Sequence, residues 1–133
     1  MRLIFGESYK HDNLNAATHD ALYEMFGVVN LRTFKHILLT IEKNHVVDEK
    51  GKDVYLPNIA RLKIPIVFIQ GADNQLFLPP GTLQTFRYVA EKNGPENYMH
   101  MMFPRYAHMD IFVGKDAATD VYPNLLLELD KYN

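Results

Sequence analysis

The sequence predicts an α/β fold, and three stretches of its second half carry that prediction. The run Ile64-Pro65-Ile66-Val67-Phe68-Ile69 is continuously apolar and rich in β-branched residues, and it ends at Gln70-Gly71. That is the pattern of a strand buried on both faces of a parallel sheet. A second strand is predicted over Tyr98–Phe103, closed by Pro104. Between them Pro79-Pro80-Gly81 leads into a helical stretch, Thr82 to Lys92, which Asn93-Gly94-Pro95 stops. A strand, a helix and a second strand in that order imply parallel strands joined by a right-handed crossover.

The remaining elements follow from periodicity and stop signals. Ala17, Ala21, Leu22 and Met25 recur at helical spacing over Asn15–Phe26, and Gly27 offers a left-handed stop. Asn30 is placed to cap a second helix, with Leu31, Phe34, Leu38 and Ile41 on one face and Arg32, Lys35, Glu42 and Lys43 on the other. Val47 to Leu56, centred on Asp48–Asp53, reads as an exposed turn between short extended pieces. Beyond the second strand, Met109 to Phe112 forms a short apolar turn, and Val121 to Tyr132 a terminal helix with Leu125, Leu126 and Leu129 facing inward.

Composition narrows the class without naming a function. The chain has 133 residues, 47% hydrophobic, 12% aromatic and 23% charged, which suits one ordinary globular domain or part of one. Fourteen basic and sixteen acidic residues leave a charge of -2 with no basic block, so nucleic acid is not an expected partner. There is no cysteine, which excludes disulfides, thiolate metal sites and thiol nucleophiles. The apolar start, Met1 to Phe5, is too short for a signal peptide or a membrane span, so a cytoplasmic protein is expected. No cofactor is implied. His11, Asp12, His19 and Asp20 match no metal-ligand spacing and read as caps, so no metal is expected either. The cluster Met99, Met101, Met102 and Met109 reads as packing.

Chemistry is expected where the carboxyl ends of the parallel strands share one edge. Asp73 and Asn74 follow the first strand and His108 follows the second. An acid on one loop can fix the tautomer of an imidazole on the next, leaving its other nitrogen to serve a nucleophile as base. The bland alternatives are a turn role for Asp73, a surface role for His108 and a backbone-bonding role for Asp110.

These residues carry a resemblance. Ile66-Val67-Phe68-Ile69-Gln70-Gly71-Ala72-Asp73-Asn74, Asn93-Gly94-Pro95 and Tyr106-Ala107-His108-Met109-Asp110-Ile111-Phe112-Val113-Gly114 resemble the last two core strands of α/β-hydrolases. The His-x-Asp-x-x-x-Gly string over His108–Gly114 is shared with acid lipases. His11-Asp12-Asn13-Leu14-Asn15, Thr18-His19-Asp20, Met25-Phe26-Gly27, Asp53-Val54-Tyr55-Leu56-Pro57 and Asp120-Val121-Tyr122-Pro123 are similar, in the same order, to the hydrolase-like region of cholesterol-oxidase-type proteins.

The resemblance implies a partial α/β-hydrolase fold: a helical cap-like segment over residues 1–60, then a core segment over 61–133 contributing the last strand-helix-strand-helix of a parallel sheet. It implies an esterase or lipase-like reaction on a small ester or lipid, with serine as nucleophile, histidine as proton carrier and a carboxylate orienting it. His108 is the histidine. Asp73 is favoured as the acid, with Asn74 the alternative because it stands three residues past Gly71, where many hydrolases carry the carboxylate.

The serine is missing. Ser8, the only serine, sits in Gly6-Glu7-Ser8-Tyr9-Lys10, which is not a nucleophile elbow. The elbow, the oxyanion hole and the other strands are therefore expected upstream of Met1, and the chain alone is expected to be inactive. Its expected partner is a second copy in a dimer, or the missing N-terminal hydrolase half. The alternative function is a non-catalytic, self-associating α/β module of a cholesterol-oxidase-like protein.

Overall fold

The computed structural model describes residues 7–28 and 30–132; the apolar start of the chain lies outside them. Two parallel strands, β1 (Ile66–Gly71) and β2 (Tyr98–Phe103), pair in register from Ile66 opposite Tyr98 to Gly71 opposite Phe103. The helices, in chain order, are α1 (Ala16–Met25), α2 (Leu31–Lys43), α3 (Pro79–Asn93), α4 (Asp110–Val113), α5 (Ala117–Asp120) and α6 (Tyr122–Leu129). The mixed α/β class is as the sequence predicts.

Alternation along the strands separates two packing layers. Phe68 and His100, opposite one another, turn to α3, where the Phe86 ring lies 6.0 Å from the Phe68 ring, edge to face, and 5.7 Å from the His100 ring. Ile69 and Phe103, on the other face, pack against Tyr106, Ile111, Ala117, Val121 and Leu125. The two-stranded sheet is thus a middle layer between the crossover helix and the C-terminal helices. Asn93, at the end of α3, donates to the carbonyls of Ile59 and Leu62 and to the Tyr98 hydroxyl, tying the segment before β1 to the amino ends of the strands.

Several local expectations are corrected. β1 begins at Ile66 rather than Ile64, because Pro65 lacks the N–H that pairing requires, and Ile64 is exposed. Most of β1 is only half-buried, because among the described residues β1 and β2 pair only with each other. α3 starts three residues early, since Pro79 and Pro80 occupy first-turn positions where no N–H is needed. Gly27 does not stop α1 in a left-handed conformation; the helix ends at an extended Phe26. Leu126 and Leu129 point to solvent rather than inward, leaving Leu125 as the contact of α6 with the core.

The N-terminal helices form where the apolar periodicity predicts, each with an asparagine at its amino end. Asn15 accepts from Thr18 N–H at 2.7 Å and Asn30 from Arg32 N–H at 2.8 Å. Yet α2 buries none of its residues, and Leu31, Leu38 and Ile41 of its apolar face are 64–76% exposed. The Val47–Leu56 stretch is a turn without strand pairing, held by Asp48, which accepts from the backbone of Lys50 and Lys52.

Candidate functional site

The parallel register brings the two predicted loops to one edge, and Gly71 sets how closely they approach. A Cβ on Gly71 would lie 2.1 Å from the Ala107 carbonyl oxygen and 2.4 Å from that of Tyr106. Without it, Ala72 N–H donates to Phe103 and Asp73 N–H to the Tyr106 carbonyl, both at 2.9 Å. The second loop is thereby stitched to the first.

Asn74, buried in the first loop, meets His108 in the second: its amide nitrogen lies 3.2 Å from His108 Nδ1. Its Oδ1 accepts from both Leu76 N–H and Phe77 N–H at 3.0 Å. That pair of bonds settles which way the amide points. Turning it over would set an NH2 against two backbone donors, at roughly 1–3 kcal/mol for each donor left unmet, to gain one bond of about 1 kcal/mol. Gln70 holds the same loop from below, donating to the Phe77 carbonyl at 3.1 Å and accepting from the Thr82 hydroxyl at 2.7 Å.

Asp73, the residue favoured as the acid, is not at the histidine. Its carboxylate pairs with Lys10 Nζ at 2.6 Å on the surface, an arrangement that raises the lysine pKa through that hydrogen bond. In the tight turn after Gly71, successive side chains diverge, and the one three residues on turns inward. The alternative acid position, Asn74, is the one that contacts His108.

His108 is half-buried with the Phe77 ring packed against it at 5.0 Å. Burial lowers its pKa below the usual histidine value, while the charge of Asp110 pulls in the opposite direction. Asp110 is fully buried and structural in its contacts: it accepts from Ala107 N–H at 3.1 and 3.2 Å and from the Asn13 amide. Tyr106, in the core beneath, donates to Asp120, and burial foremost pushes its pKa up to about 12.

A strap formed by residues 8–14 holds the His108 loop from outside, which the sequence did not foretell. Met109 N–H donates to the Ser8 carbonyl, Lys115 N–H to the Asn13 carbonyl, and the Asn13 amide to the Arg105 carbonyl at 2.7 Å as well as to Asp110. Arg105 sits at a positive φ of 68°, so this bond anchors a residue in the left-handed region. Ser8 contributes to the strap by its backbone. Asn13 follows His11 and Asp12, which looked like caps, and its contact ninety residues away left no periodic trace.

Among the described residues, no three of His, Asp and Glu gather in a metal-binding arrangement, and the His11 and His19 rings meet at 5.5 Å without a third ligand. No described helix is long and apolar enough to cross a membrane. Comparison with protein-family models, with curated proteins and with solved structures finds no match.

Proposed function

We propose that the chain supplies the acid-position and histidine half of an α/β-hydrolase-type carboxylic ester hydrolase site, with the nucleophilic serine supplied by residues outside these 133. The supporting observation is the Asn74–His108 contact at the carboxyl ends of adjacent parallel strands, with Asn74 three residues past the closely packed Gly71. In such a site the histidine takes the serine proton during attack on the ester carbonyl and returns it to the leaving alkoxide. Asparagine at the acid position cannot neutralise the imidazolium formed midway. Exchanging the triad carboxylate for its amide lowers turnover by roughly 10⁴, so a complete site is expected to be slow.

The test is fluorophosphonate labelling of the native protein together with its intact mass. The reading expects labelling at a serine outside these residues, abolished by His108→Ala, and none on the 133-residue chain. Labelling at Ser8, or labelling indifferent to His108→Ala, contradicts it.

A second reading, a non-catalytic and self-associating α/β module, is favoured by the surface. The accessible area is 9802 Å², whereas a compact monomer of this mass has about 7,200 Å². Allowing the residues outside the description a full unfolded-chain area still leaves an excess of roughly 1,600 Å². The strand edges that no described residue pairs with and the apolar face of α2 contribute to it. Association in solution with no labelling in the native protein selects this reading.

A further inference from the structure

We propose that Asn74 locks His108 in the tautomer that carries its proton on Nε2, so that the ring presents a hydrogen-bond donor where a serine-activating histidine presents a base. The inference goes beyond both functional readings, since it follows from the contact itself and is tested on a ring proton rather than on turnover; under the hydrolase reading, His108 becomes a base at Nε2 only by giving up the Asn74 contact, which slows that site.

The neighbouring groups leave Nδ1 one role. The Asn74 Oδ1 is taken by the Leu76 and Phe77 N–H groups, so Asn74 offers His108 an N–H, and Nδ1 must accept it through its lone pair. The carboxylates of the two loops are engaged elsewhere. Asp73 is turned to Lys10, and Asp110 gives its oxygens to Ala107 N–H and Asn13. From the first loop the ring otherwise meets Phe77, which is apolar. A neutral imidazole that accepts at Nδ1 carries its hydrogen at Nε2.

The consequence is a reversal of the usual division of labour. A carboxylate at position 74 would accept from Nδ1–H and leave Nε2 free as a base. Asn74 leaves Nε2–H, suited to donating to a carbonyl or carboxylate oxygen. Asn74 is thus a positioning residue acting through His108.

The experiment is ¹⁵N NMR of the side chains of the six histidines, above the titration of His108, with His108→Gln assigning the signal. The expected result is a single unaveraged tautomer with Nδ1 at the shift of an unprotonated nitrogen and Nε2 at that of a protonated one. Asn74→Asp keeps the oxygen facing Leu76 and Phe77; it is expected to move the hydrogen to Nδ1 and to raise the His108 pKa by at least about one unit. Asn74→Ala, which removes the donor, is expected to give averaged shifts. Protonated Nδ1 or averaged signals in the parent protein overturn the proposal, as does a folded Asn74→Asp protein that keeps its hydrogen on Nε2.

Discussion

Replacing Asn13 by alanine is expected to destabilise the protein by about 2–3 kcal/mol, although the residue lies far in sequence from the loop it holds. Its amide donates to a fully buried carboxylate, Asp110, and to the carbonyl of Arg105, a residue at positive φ. A hydrogen bond to a charged group contributes about 1.5–3 kcal/mol and a neutral one about 1 kcal/mol, with some recovery as water enters the vacated space. For a chain of this length that corresponds to a fall in thermal midpoint of roughly 10 °C. Asp110→Ala removes the acceptor and strands Ala107 N–H as well, so its effect should be larger. The double variant should fall short of the sum by about 1.5 kcal/mol or more, the signature of a direct contact. Urea unfolding followed by circular dichroism gives all four values. An Asn13→Ala protein within 0.5 kcal/mol of the parent, to take roughly half the lower bond value, or strictly additive effects, would refute the strap as the support of the His108 loop.

Further outcomes are open to measurement. Gly71→Ala drives a Cβ into the Ala107 and Tyr106 carbonyls, and is expected to cost at least about 2 kcal/mol in urea unfolding and to shift the His108 ring signals. Because burial depresses the His108 pKa, the unfolded chain binds the proton more readily than the folded one. The His108 contribution is therefore complete above the unfolded value of about 6.5 and is lost as pH falls from there toward the folded pKa. Stability against pH should be flatter across that window in His108→Gln. Lys10→Ala removes an exposed pair with Asp73 and should leave both the thermal midpoint and the His108 signals in place. Light scattering is expected to show a dimer at micromolar concentration, while a monomer would contradict the self-associating reading.

The strand-helix-strand order and both loop positions were legible because parallel strands and crossover helices leave apolar runs and stop signals local in sequence. Asn74 was legible as a position, three residues past Gly71. Its geometric priority over Asp73 was not, since it depends on which side chain a tight turn carries inward. The exposed face of α2 escaped for a related reason: periodicity shows that Leu31, Leu38 and Ile41 share a face, and says nothing of what covers it. Asn13 and Gln70 were invisible as site supports because single polar side chains bonding to distant or irregular backbone follow no period.

The contact between Asn74 and His108 carries the functional argument, and a nuclear Overhauser measurement reaches it most directly. The Asn74 side-chain amide protons should show a strong cross-peak to His108 Hε1, the ring proton beside Nδ1, that disappears in Asn74→Asp. Absence of that cross-peak in the folded protein, with a contact from residue 73 to the ring in its place, would contradict the assignment of Asn74 to the acid position.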